Sequence, residues 1–190
     1  MLILTTERVV LRPWRLQDER ELFRYASDPQ IGPRVGWKPH ENLQESRHIL
    51  KTVLMVPDVW ALELRETGKP IGSIGLHRDR KRNLPPNLVR ELGYWLGRPY
   101  WGQGLIPEAA RAVLDYAFSK LQLELVSCSH FLDNNQSRRV IEKLGFQYEG
   151  VLRQGFRIYD GSILDLVVYS LTRQEYAHFP KEPYDRKKTP

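Results

Sequence analysis

The sequence predicts a single α/β domain, a mixed sheet with helices on both faces. Three observations carry this prediction. Strand-like and helix-like runs follow one another in the order β-α-α-β-β-β-α-β-α-β-β. Two strand–helix–strand passes, over residues 89–130 and 125–159, demand parallel or crossover connections. Hairpin turns to either side of these passes supply antiparallel strands. At 190 residues the chain suits one domain, 1–180, with enough length to bury a core.

Each element has a local reason. Glu7-Arg8-Val9-Val10-Leu11-Arg12 alternates and stops at Pro13, which reads as a first strand. Residues 18–27 form a short helix with Asp18 as its cap. Residues 29–39 hold three prolines and two glycines and read as loop. Asn42 and Glu45 stand at capping-box spacing and open a helix to about residue 54. Strands at 59–65 and 71–78 flank the turn Thr67-Gly68-Lys69-Pro70. A polar, proline-rich loop at 78–87 leads into a strand at 89–96 that is rich in β-formers. Pro107 suits the first turn of the next helix, since its missing N–H has no helical partner there anyway. Ala110, Val113, Leu114, Ala117, Phe118 and Leu121 give that helix one apolar face. After a strand at 125–130, Ser137, Val140, Ile141 and Leu144 mark another helix, which Gly145 stops in a left-handed cap. Strands at 148–159 and 163–171 surround the turn Asp160-Gly161, and 174–179 is a short last helix. Residues 181–190 are expected to fray, and no repeat or internal boundary is visible.

Composition narrows the function. With 41% hydrophobic and 27% charged residues the chain belongs among ordinary soluble globular proteins. No run approaches the roughly 20 apolar residues of a membrane span, and the first residues lack a signal-peptide pattern. Cys128 is the only cysteine, which excludes an internal disulfide and fits a reducing cytoplasm. The five histidines are scattered without CxxC or HExxH spacing, so no metal site is expected. The net charge of +6 is dispersed, apart from short runs at 78–82 and 186–188. That argues against a nucleic-acid surface; the runs read first as solvated loop and frayed tail, and otherwise as attraction to polyanions, including a phosphate-rich cofactor.

The clearest chemical signal is Trp101-Gly102-Gln103-Gly104-Leu105-Ile106-Pro107, between a strand and the amphipathic helix. Glycines at alternate positions allow a tight turn and close approach of a ligand to the main chain. Amides at a helix N-terminus then favour an anion, such as a pyrophosphate. The same segment also fits a plain glycine turn. It is not a P-loop, because GxxxxGK[ST] is absent. Nor is it the dinucleotide fingerprint, because Pro107 stands where the third glycine belongs. A second constellation, Asn134-Asn135-Gln136-Ser137 followed by Glu142-Lys143-Leu144-Gly145-Phe146, opens and closes the next helix.

Taken with Glu91-Leu92-Gly93-Tyr94-Trp95-Leu96 and Tyr100 to Gly104, these segments resemble the GNAT superfamily of N-acetyltransferases. More narrowly they resemble the branch of ribosomal-protein N-terminal acetyltransferases. Thr6-Glu7-Arg8, Leu11-Arg12-Pro13-Trp14 and Gly36-Trp37-Lys38-Pro39 fit that branch, and the likeness spans about residues 5–171. Trp101 stands where the superfamily usually has Gln or Arg, and Ile106 where it has Gly or Ala.

The resemblance implies a mostly antiparallel sheet with one splayed parallel strand pair, and acetyl-CoA as co-substrate. It implies that Trp101, Gly102, Gln103, Gly104, Leu105 and Ile106 hold the pyrophosphate through main-chain N–H groups. Tyr94, Trp95 and Leu96 would meet the pantetheine arm with their main chain. Asn134 would hydrogen-bond that arm, and Ser137 would stand near the thiol as proton donor. Glu91 is the first candidate for the base, because some members carry one on this strand; it also reads as an ordinary salt-bridge partner. Asp165 and His130 stand behind it, and some relatives place a glutamate near Phe156, where this chain is apolar. Cys128 lies in an apolar strand without an activating partner and reads as core, which favours direct attack in a ternary complex. The expected acceptor is a protein N-terminal α-amine. The alternatives are a small amine (polyamine, amino acid or aminoglycoside) and a CoA-binding module without catalysis.

Overall fold

The computed structural model describes residues 2–180; the tail expected to fray, 181–190, lies outside the described residues. Eight strands form one sheet: β1 (Leu4–Thr5), β2 (Val9–Pro13), β3 (Val59–Leu64), β4 (Lys69–Arg78), β5 (Val89–Leu96), β6 (Leu125–Phe131), β7 (Gln147–Arg157) and β8 (Ile163–Thr172). Their spatial order is β1-β2-β3-β4-β5-β6-β8-β7. Neighbours pair antiparallel except β5 and β6, which are parallel. The helices are α1 (Glu19–Ala26), α2 (Leu43–Ile49), α3 (Leu105–Ser119), α4 (Asn135–Lys143) and α5 (Arg173–His178). The α3 helix connects the parallel pair. The chain from β6 through α4 reaches β7 by crossing β8, which lies between them.

Alternation along the strands builds two apolar layers. On β3, Leu62 packs with Ala110, Val113, Leu114 and Ala117 of α3 on one face of the sheet. Its neighbour Ala61 packs on the other face with Leu22 and Ala26 of α1 and with Leu50 and Leu54 after α2. The sheet therefore has helices on both sides, as its strand–helix order requires. Among the described residues no helix is long and apolar enough to cross a membrane.

The structure differs from expectation at four places, each with a physical cause. Asp18 does not cap α1 with its side chain. Its buried carboxylate accepts two hydrogen bonds from the Arg12 guanidinium, 2.7 and 2.9 Å, and one from the Arg15 amide, 2.8 Å. Arg12 also pairs with Glu63 on β3, so one buried cation lies between two carboxylates; losing either partner would leave charge uncompensated. The α2 helix ends at Ile49 and continues as a π turn over Leu50–Leu54. The α3 helix starts at Leu105, two residues before Pro107, because Gly104 takes a left-handed conformation and ends the preceding loop. β1 was not expected; two residues are too few to show alternation.

Candidate active site

The ladder between β5 and β6 runs for only three pairs, Val89↔Leu125, Arg90↔Val126 and Glu91↔Ser127. Beyond them β5 continues to Leu96 and β6 to Phe131 without pairing, so the two strands diverge. On the side of α3 and α4 the divergence opens a cavity of about 340 Å³. Tyr94, Trp95 and Leu96 form one wall, and Gly102 with the segment from Gly104 through Pro107 forms the base. Asn134, Ser137 and the inner face of α4 form the opposite wall. A short 3₁₀ turn at Gly32–Val35 reaches across from the N-terminal part of the chain.

The loop at the start of α3 is shaped to receive an anion. Gly102 and Gly104 have φ of 73° and 75°, a region that L side chains avoid. A Cβ added at Gly102 would meet nothing within 4 Å, so the space beside this main chain is open. The first helical hydrogen bond runs from the Glu108 amide to the Gly104 carbonyl, 3.2 Å. The amides of Leu105 and Ile106 precede it, at the positive end of the helix.

Three contacts brace the loop. Trp101 donates from Nε1 to the Leu96 carbonyl at 2.7 Å. Gln103 donates to the Pro99 carbonyl at 3.0 Å, and its own carbonyl accepts from Arg8 at 2.8 Å. Arg8 in turn binds Glu108 in the first turn of α3 at 2.6 Å. Burial alone would raise the Glu108 pKa, but hydrogen bonds from Thr6 and Arg8 outweigh it and hold the carboxyl below its ordinary value.

Charge sorts sharply in the cavity. Arg34, Arg139 and Lys143 line it, and among the described residues no carboxylate does. Arg34 also lies over the Trp101 ring, 5.6 Å from its centroid. Oriented amides and three cations around one hollow fit a polyanion such as the phosphates of CoA.

The expected residues of α4 sit at the far wall. Buried Asn134 accepts the Ser137 amide at 3.1 Å, which caps α4, and donates to the Arg34 carbonyl at 3.2 Å. It therefore ties α4 to the turn at Gly32–Val35. The Ser137 hydroxyl lies 2.8 Å from the Tyr94 hydroxyl. Burial pushes the Tyr94 pKa well up, so this phenol stays protonated and able to donate.

The remaining candidates fall elsewhere. Glu91 does not line the cavity; it lies on the opposite face of β5, where Ser129 donates to it at 2.6 Å and Lys81 pairs with it at 2.6 Å. Gln103 is likewise outside the lining. Asp165 accepts the Gln154 amide at 2.8 Å, at an irregularity between β7 and β8. His130 packs on Tyr169 and donates from Nδ1 to the Phe131 carbonyl at 2.7 Å. Cys128 is buried and directs its Sγ to the Leu92 carbonyl at 3.3 Å; burial pushes the thiol up, away from nucleophilicity.

Sequence reasoning missed the three cations and the Tyr94 side chain. Two of the cations had a signal: Gln136, Arg139, Val140 and Lys143 stand at i, i+3, i+4 and i+7, one face of α4. Arg34 had none, since it reaches the cavity from a distant loop.

A parallel strand pair that splays over a cationic cavity is the feature that sets this fold apart from a plain mixed sheet. A family profile described as an acetyltransferase (GNAT) domain matches residues 8–147. An uncharacterized N-acetyltransferase, p20 of Bacillus licheniformis, is 30% identical over 182 residues, 92% of this chain and 98% of its own. The ribosomal-protein-serine acetyltransferase of Escherichia coli is 40% identical over 72 residues, 37% of this chain and 39% of its own. The structure of Mycobacterium smegmatis RimJ in complex with CoA-disulfide superposes with a TM-score of 0.77 over 92% of this chain and 88% of that chain, at 20% identity. The chain belongs to the GNAT family of N-acetyltransferases.

Proposed function

We propose that this chain transfers the acetyl group of acetyl-CoA to a protein N-terminal α-amine, by direct attack in a ternary complex. The observation that carries the reading is the cavity at the splay, with three cations, no carboxylate among the described residues, and Trp101, Gly102, Gly104, Leu105 and Ile106 at its base. There the loop amides hold the pyrophosphate, and Tyr94, Trp95 and Leu96 offer main-chain partners to the pantetheine arm. The Asn134 oxygen keeps a second lone pair for that arm beyond the one that caps α4. Ser137 supplies the proton that the leaving thiolate takes up. Glu91, anchored on the far face, belongs to the acceptor side and assists removal of the ammonium proton. A buried, unactivated Cys128 supports direct attack over an acyl-enzyme, and fits a cytoplasmic place of action.

The choice of an α-amine rests on proton chemistry. At pH 7 an α-amine of pKa near 7.8 is deprotonated at a cost of about 1.1 kcal/mol, against about 4.6 kcal/mol for a lysine near 10.4. A site without a strong base therefore favours the former. The E. coli relative is described as acting on serine of a ribosomal protein, which supports the same acceptor class.

The test is thiol release from acetyl-CoA with three acceptors. These are a short peptide with a free N-terminal serine, the same peptide with a blocked N-terminus and an internal lysine, and a pool of polyamines, amino acids and aminoglycosides. Turnover confined to the first is expected. Turnover confined to the pool would move the acceptor to small amines. Binding of CoA with no turnover on any acceptor would make the chain a non-catalytic module.

A further inference from the structure

The face of the sheet turned away from the cavity carries a polar strip. Leu92 and Leu96 of β5 pack toward α3, so Glu91, Gly93 and Trp95 point the other way. Beside them on the same face lie Ser73, Gly75 and His77 of β4, and Ser129 and Phe131 of β6. Two aromatic groups flank the strip. Trp95 packs with Trp14 and Trp37, at ring distances of 6.3 and 6.1 Å, under α1 and α2. Phe131 packs with Phe156 at 5.5 Å and with Leu166 and Val168.

His77 occupies this strip because two glycines make room for it. Gly75 and Gly93 face each other across β4 and β5. A Cβ at Gly93 would come within 3.0 Å of the His77 ring, and one at Gly75 within 3.2 Å of its Nε2. The imidazole thus lies against the main chain of β5, one residue before Tyr94 in the cavity wall. The residue itself remains exposed. Directly opposite it in register is Glu91. The same Glu91 oxygen takes both the Ser129 hydroxyl and Lys81, and Lys81 also approaches Asp79 at 3.4 Å. The Glu91 carboxylate is thus engaged by two donors, whereas His77 beside it is exposed.

We propose that His77 is the base that takes the proton from the acceptor ammonium, and that Glu91 acts through it as a positioning residue. The proposal rests on the acetyl-transfer reading and deepens its acceptor side. The His77 imidazole accepts a proton from R–NH₃⁺, giving imidazolium and R–NH₂. The nitrogen lone pair forms the C–N bond to the thioester carbonyl carbon, and the C–S bond breaks to leave the thiolate. The second nitrogen proton reaches the thiolate through the Ser137 hydroxyl, giving the amide and free thiol. The imidazolium then returns its proton to water, so one proton is released per turnover.

The surroundings suit this role. Desolvation by the packed main chain lowers the His77 pKa, and Glu91 opposes that by raising it. The ring is therefore neutral at pH 7. The charged groups beside it on this face are Glu91 across the strand pair and, on the loop after β4, Asp79, Lys81 and Arg82, the last pairing with Asp79 and Glu149. Asp58, before β3, is turned to Arg90 and Tyr116 instead.

The test is His77→Gln with the serine peptide at saturating acetyl-CoA. Expected is a loss of about a hundredfold in kcat/KM for the peptide, disappearance of the acid limb that lies below pH 6.5, and unchanged calorimetric affinity for acetyl-CoA. Glu91→Gln should lower the imidazole titration midpoint of His77, followed by NMR, with a smaller loss of rate. This second arm needs no acceptor and stands if His77→Gln fails to fold. A His77→Gln enzyme with the wild-type rate and acid limb overturns the base while leaving acetyl transfer intact; so does a His77 midpoint that stays or rises in Glu91→Gln. A wild-type enzyme that binds acetyl-CoA but turns over no amine removes the acetyl-transfer reading, and the base with it.

Discussion

At Ser137 the structure separates the side-chain hydroxyl from the helix cap. Asn134 caps α4 through the Ser137 amide, so the serine hydroxyl is not the cap. Its polar neighbour is the Tyr94 hydroxyl. Ser137→Ala should therefore leave the melting temperature nearly unchanged and lower kcat by about tenfold to a hundredfold, the low end for general acid catalysis. Tyr94→Phe should cause part of the same loss, because Ser137 then lacks the partner that orients it. Parallel melting curves and kcat at saturating acetyl-CoA check this; full kcat with a lowered melting point would take Ser137 out of the chemistry. The residues were unequally legible. Gly102 and Gly104 stood out as alternate glycines before a helix, a pattern that a plain turn also fits, whereas the Tyr94 hydroxyl could not be paired with Ser137 without knowing that β5 and α4 face each other across the splay.

At the scale of elements, periodicity was informative and register was not. The apolar stripe of α3 emerged from its spacing, and all of Ala110, Val113, Leu114 and Ala117 are fully buried. The role of Asp18 was misread because local rules see a cap where tertiary structure offers a buried guanidinium, a stronger partner for a carboxylate. Glu108 shows the same competition, since a first-turn carboxylate on α3 ends up binding Thr6 and Arg8. Its folded pKa lies below its unfolded value near 4.5. The contribution to stability is thus present above that value and is lost as pH falls through the folded pKa. Melting temperatures of wild type and Glu108→Gln should therefore differ at pH 6 and draw together as the pH falls below 4.5 and through the folded pKa. Curves that stay parallel throughout would show that the contact does not stabilise the fold.

For the whole molecule, the fold class followed from element order alone, because two strand–helix–strand passes inside a run of hairpins leave few ways to order a sheet. The insertion of β8 between β6 and β7 did not follow, since nothing local says which strand a crossover passes. The place of the cavity also needed the assembled sheet, as it lies where pairing between β5 and β6 stops after Glu91 and Ser127. Its cations come from the Gly32–Val35 turn and from α4, far apart in the chain.

That cavity is the account's central claim, and calorimetry of CoA against two proteins tests it most directly. Wild type should bind one CoA per chain, and Arg139→Glu/Lys143→Glu, changed at two solvent-exposed residues on the cavity-lining face of α4, should keep its melting temperature and lose at least tenfold in affinity. Equal affinity in the two proteins, or no binding of CoA by wild type, would contradict it.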